Sequence, residues 1–192
     1  MNELRKVVAL PKGDAIGLSA MTPHFGELEL ADFLDVLGHE ISASPKVAGS
    51  PRLLWINVKP YAAKPVLEKI GKQGASIVFE EANQVYWPEL DPARPLTSLA
   101  TKILSHYAHA PIEERTERLL NLASEYQVNG VIALAYPGCR YGTTALPYIL
   151  GKLSEAGLPA ISLDEKLEAV KGDGEGELSA LDEFLETLGG AA

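Results

Sequence analysis

The residues best suited to chemistry gather in the stretch YPGCRYGTT, residues 136 to 144, which holds the chain's single cysteine beside an arginine. It follows an apolar run of strand length and precedes a segment of helical periodicity. Backbone N–H groups at the coming helix N-terminus, together with Arg140, would therefore stabilise a thiolate at Cys139 or a bound anion. The other reading of Cys139 is a free, buried cysteine acting as a small hydrophobe. A phosphatase-type loop fails, because Ala145 stands where its arginine belongs, and a dithiol redox pair fails for want of a second cysteine.

Other candidates are more scattered. The adjacent carboxylates Glu80 and Glu81 close an apolar run; they could act as acid and base if burial separates them, or one faces solvent while the other caps a neighbour. His106 and His109 stand three apart, with Glu113 and Glu114 just beyond, which offers either a divalent-metal site or a wet helix end. Asn57 and Lys59 lie in the segment NVKPYAAKP, which lacks the glycine-rich turn of a nicotinamide-binding fold. No phosphate-binding P-loop is present. Gly172, Gly174 and Gly176 sit among acids that would repel phosphate, and read as a solvated loop.

These residues need a scaffold, and the periodicity supplies one. Apolar runs of strand length occur at Arg52 to Val58, Ser76 to Glu81, Gly130 to Ala135 and Pro159 to Leu163. Between and after them, helical spacing appears over Pro65 to Lys72, Pro95 to His106 (Leu96, Leu99, Ile103), Ile112 to Gln127 (Leu119, Leu120, Ala123, Tyr126), around Leu146 to Leu153, and Glu177 to Leu188. Continuously apolar strands alternating with amphipathic helices predict a doubly wound α/β domain of the Rossmann or flavodoxin kind: a four-stranded parallel sheet with flanking helices. Residues 1 to 50 read as an N-terminal helical arm, with Leu30, Phe33, Leu34 and Leu37 on one stripe of a helix from about Glu27 to His39; residues 51 to 192 are the domain proper. Ligands of such sheets sit beyond the carboxyl ends of the strands. The loops Asn57 to Pro60, Glu80 to Trp87 and Tyr136 to Thr144 are therefore the places for a site.

Composition narrows the function classes. The 192 residues carry 17 Lys plus Arg against 26 Asp plus Glu, a net charge of −9, which disfavours nucleic acid and anionic membrane as partners. No apolar stretch approaches the roughly 20 residues that span a bilayer. One cysteine forbids an internal disulfide and fits a reducing cytoplasm.

The segment EYQVNGVIALAYPGCRYGTTALPYILGKLSEAGLPAISLD resembles the carboxyl-terminal domain of the 2-hydroxyacyl-CoA dehydratase and benzoyl-CoA reductase subunits, where a "DGVI" strand, a loop ending "GCR", a helix and a final strand follow in this order. ELSALDEFLETL is similar to the family's closing helix, SPRLLWINVKP to the segment that opens that domain, and PKGDAIGLSAMTPHFGELELADFLDVL to the connection before it. The likeness runs over about residues 11 to 188.

The resemblance implies an oxygen-sensitive 4Fe-4S cluster held by three cysteines near the strand ends, and a ketyl radical made from an acyl-CoA thioester after reduction by an ATP-driven activator. By position Cys139 is the cluster ligand of the "GCR" loop. A second family cysteine falls on Ala82 or Asn83, and the domain that supplies another ligand has no counterpart here. One thiolate cannot hold a cubane. Three expectations follow: a binding or assembly subunit without a cluster of its own, docking on itself or on a dehydratase-type partner; a subunit of a radical dehydratase whose Cys139 joins a cluster shared with another chain; or a domain binding acyl-CoA or a small anion over Asn57, Glu81 and Cys139, with Lys59 and Arg140 offsetting its charge.

Overall fold

The computed structural model describes residues 50–58, 64–84, 89–136, 138–164 and 175–189. Lys59 and the arm at residues 1–49, with its expected helix, lie outside them. In a strand successive side chains point to opposite faces, so a run apolar at every position must be covered twice. Strand β1 (Arg52–Ile56) does this: Leu53 and Trp55 enter one core cluster, Leu54 and Ile56 the other. Strand β3 (Gly130–Ala135) splits likewise, Ile132 and Leu134 against Val131 and Ala133.

Strand β2 (Ser76–Glu80) pairs with β1 through a bulge: Leu53 faces Ile77 but Leu54 faces Phe79, which leaves Val78 extra. Val78 and Phe79 consequently enter the same cluster. With β4 (Ala160–Asp164) the strands form one parallel sheet in the order β2-β1-β3-β4. Helices α1 (Lys64–Lys72) and α6 (Glu175–Gly189) cover one face through Val66, Ile70, Leu181, Leu185 and Leu188. An ion pair between Lys69 and Asp182 joins the two helices. Helices α3 (Ile112–Glu125) and α5 (Leu146–Glu155) cover the other through Leu119, Leu122, Leu146, Ile149 and Leu153. The doubly wound α/β class expected from the periodicity is the fold observed.

Two elements depart from the expected burial. The helix α2 (Pro95–Leu104) was expected to face inward with Leu96, Leu99 and Ile103, yet none of its residues is buried, and Leu96 is 80% exposed. No residue of α2 enters either core cluster, to which α3 contributes Leu119 and Leu122. In β4, Leu163 is buried while Ser162 is exposed, as befits an edge strand with less cover. Among the described residues no helix is long and apolar enough to cross a membrane.

β2 lies on one side of β1, and β3 and β4 on the other, so the chain reverses direction between β1 and β3. In open α/β sheets this reversal is the position at which ligands bind, beyond the carboxyl ends of the strands. The ends of β1 and β3 carry Asn57 and the Cys139 loop.

Candidate functional site

Asn57 follows β1 with φ of 67°, the left-handed region that asparagine tolerates better than most residues. Its backbone N–H donates to Glu81 Oε2 at 3.3 Å and its Oδ1 accepts from Arg115 Nη2 at 3.0 Å. Its Nδ2 donates to the Leu134 carbonyl at 2.8 Å and, at 3.4 Å, to that of Gly142. One buried side chain thus links β1 to the end of β3 and to the short helix α4 (Arg140–Thr144).

Cys139 is the N-cap of α4, its sulfur accepting from the Gly142 N–H at 3.2 Å, and the residue is exposed. A buried, inert thiol is therefore not what the fold contains. The loop folds back on the end of β3: the Cys139 N–H and the Thr143 hydroxyl both donate to the Tyr136 carbonyl, at 2.9 and 2.6 Å. Gly142 is closely packed: a Cβ there would stand 3.2 Å from the Cys139 sulfur and 3.3 Å from Asn57 Nδ2, so one of them would have to shift. Arg140 is exposed beside Cys139.

Glu81 opens a 3-10 turn, Glu81–Asn83, directly after β2, and is 1% exposed. Arg115, equally buried, grips it with two bonds, Nε to Oε1 at 2.6 Å and Nη2 to Oε2 at 2.7 Å. Glu80 is buried too, so neither carboxylate of the pair faces solvent as one had been expected to. The reason for Glu81 is its counter-charge: a carboxylate enters a core when a forked guanidinium replaces its water.

Arg115 escaped the sequence reading, although it left a signal. It lies on the buried stripe of α3 with Thr116, Leu119, Leu122 and Ala123, and a charge on an apolar stripe requires a buried partner. Its Nη1 is buried without a hydrogen-bond partner among the described residues. Two rings serve instead: Cζ lies 5.0 Å from the ring centroid of Tyr141 and 5.3 Å from that of Tyr107, both within cation–π range. Burial works against the charge of Arg115, but the hydrogen bonds and charge of Glu81, aided by both tyrosines, outweigh it and raise the guanidinium above its ordinary value. The Tyr141 hydroxyl, pushed up by burial against the pull of Arg115, donates to the Tyr107 carbonyl.

His106 stacks on Tyr107 at 4.4 Å between centroids, and its ring stands 6.0 Å from that of His109. Burial first, then the charge of His109, lowers His106 below its ordinary range, while Glu81 pulls the other way. Among the described residues no three His, Cys, Asp or Glu side chains gather as a metal site. The pair His106 and His109 thus gains no third ligand from Glu113 or Glu114.

The fold brings three of the five sequence candidates, Asn57, Glu81 and Cys139, into one bonded network, leaves Arg140 at its rim, and does not describe Lys59. Arg115, Tyr107 and Tyr141 complete it. The chain matches the family model described as 2-hydroxyglutaryl-CoA dehydratase, D-component, over residues 2–188. No curated protein matches it.

Proposed function

Because the chain belongs to the 2-hydroxyglutaryl-CoA dehydratase D-component family, we propose that it serves as a binding or assembly subunit of a dehydratase-type complex and holds no iron-sulfur cluster by itself. The observation that carries this reading is the solitude of Cys139. It is the one cysteine of the sequence, and among the described residues no three His, Cys, Asp or Glu side chains gather as a metal site. A cubane needs three or four such donors. Beside Ala82 and Asn83, where the resemblance puts a second cysteine, the end of β2 is closed by the buried Glu81–Arg115 pair. The donor set does not fit an autonomous cluster. What this chain's residues do at the strand ends is fix one loop and present one sulfur and one arginine outward.

A second reading is favoured by the exposure of Cys139 at the carboxyl end of β3: the thiolate serves as one ligand of a cluster completed by another chain. The two readings separate in one experiment. The chain is purified without oxygen in the presence of iron and sulfide, alone and co-expressed with a dehydratase-type partner subunit, and iron, acid-labile sulfide and visible absorbance are measured. The assembly reading expects no stoichiometric iron in the chain alone, and a recovered complex whose iron content does not change in Cys139→Ala. A cluster in the complex that disappears in Cys139→Ala would establish the shared ligand, and a stoichiometric cluster in the chain alone would overturn both.

A further inference from the structure

We propose that Arg115 and Asn57 are positioning residues for Cys139, acting from the buried side of the strand ends through Gly142. The inference rests on the reading above that Cys139 is the group this chain presents at its strand ends. Arg115 has donors only, so the atom of Asn57 that meets it must be Oδ1, and the bond at 3.0 Å fixes the amide's orientation. Nδ2 is thereby turned toward the carbonyls of Leu134 and Gly142, at 2.8 and 3.4 Å. The first contact anchors the amide to a strand; the second sets the height of Gly142 over it. Gly142 in turn donates its N–H to the Cys139 sulfur.

Glu81 keeps the far end of the relay in place. It holds Arg115 through two bonds and takes the Asn57 N–H on Oε2. The guanidinium, whose buried Nη1 has no hydrogen-bond partner among the described residues, has its Cζ over the rings of Tyr107 and Tyr141. Tyr141 belongs to α4, so the arginine touches the Cys139 loop from two directions: through Asn57 and through that ring. The close approach at Gly142 shows that sulfur and amide flank the same side of this residue, since a Cβ would crowd both at once. A guanidinium placed only to balance Glu81 needs neither Asn57 nor Gly142.

The isolated, iron-free chain provides the test. Its single cysteine, labelled with carbon-13, gives one set of side-chain resonances, whose couplings report the sulfur's rotamer; amide hydrogen exchange reports the Gly142 N–H. Asn57→Gly keeps the left-handed turn at no steric cost and removes the relay. Arg115→Lys keeps the charge opposite Glu81 but lacks the fork needed to hold Glu81 and Asn57 together. Both variants are expected to average the Cys139 rotamer and to exchange the Gly142 amide about tenfold faster, the effect of losing roughly one hydrogen bond. Any general loss of stability appears as faster exchange at Val131 and Ile132 in the core strand, and the Gly142 amide is expected to accelerate beyond that common factor, which separates positioning from stability. Should either single variant fail to fold, Arg115→Met with Glu81→Leu removes both charges and the relay, and is expected to give the same local change. A fixed rotamer and wild-type exchange at Gly142 in any folded variant that lacks the relay would overturn the proposal. Since no iron or partner enters, failure of the iron experiment leaves this result standing, and the reverse holds as well.

Discussion

The buried pair of Arg115 and Glu81 sets the local energetics. Both charges leave water, and their mutual attraction must offset a desolvation cost of several kcal/mol per ion, so the pair as a whole adds little stability while either half alone is costly. We expect Arg115→Met to lose about 3–5 kcal/mol in urea unfolding, and Arg115→Met combined with Glu81→Leu to recover most of it. A loss under about 1 kcal/mol for the single substitution would show that water or a neighbouring group already relieves Glu81. Glu81 was read from the sequence as a carboxylate closing an apolar run, whereas Arg115, a charge on an apolar stripe, went unread. Their partnership was not legible there, because the two stand 34 positions apart and meet only once α3 packs on the sheet beside β2. The position of Cys139 at a helix start was easier to place, because capping is local, whereas the Asn57 and Arg115 contacts to its loop come from distant parts of the chain.

At the scale of elements, helical spacing reports that a helix has an apolar side, without saying what covers it. The spacing in α2 is as regular as in α5, yet α5 buries Leu146, Ile149 and Leu153 while α2 buries nothing. The difference comes from the packing: α5 joins the core cluster that holds Leu119 and Leu122 of α3, whereas α2 contributes to neither cluster. Replacing Leu96 and Ile103 of α2 together by glutamine should therefore change the unfolding free energy by no more than about 0.5 kcal/mol, the range of surface substitutions. A loss of 2 kcal/mol or more in the denaturation midpoint analysis, the size of a core truncation, would show that the helix is packed in solution. The bulge in β2 is of the same kind. It depends on the register against β1, which the apolar run Ser76 to Glu81 does not specify.

For the whole molecule, the order β2-β1-β3-β4 is what turns four apolar runs and several loops into one site, because it makes β1 central and brings the ends of β1, β2 and β3 together. Helix α6 closes the face on which Trp55 and Leu134 lie, and Leu181 is fully buried there. Leu181→Ala should lower stability by about 2–5 kcal/mol by chemical denaturation, as for other large-to-small core changes. A loss below about 1 kcal/mol would mean that the carboxyl-terminal helix is docked weakly and that the sheet is stable without it.

The amino-acid sequence by itself determined the fold class, since the period of apolar residues is a local property that states which sides of a segment must leave water. It also determined that only one thiolate exists to be used, a matter of composition. The tertiary structure alone decided which strands are neighbours, that no residue of α2 is buried, and that Arg115 closes the end of β2 and reaches Asn57. Those outcomes depend on contacts between segments far apart in the chain, whose free energy is set by how whole elements fill space against each other and is written in no single stretch of residues.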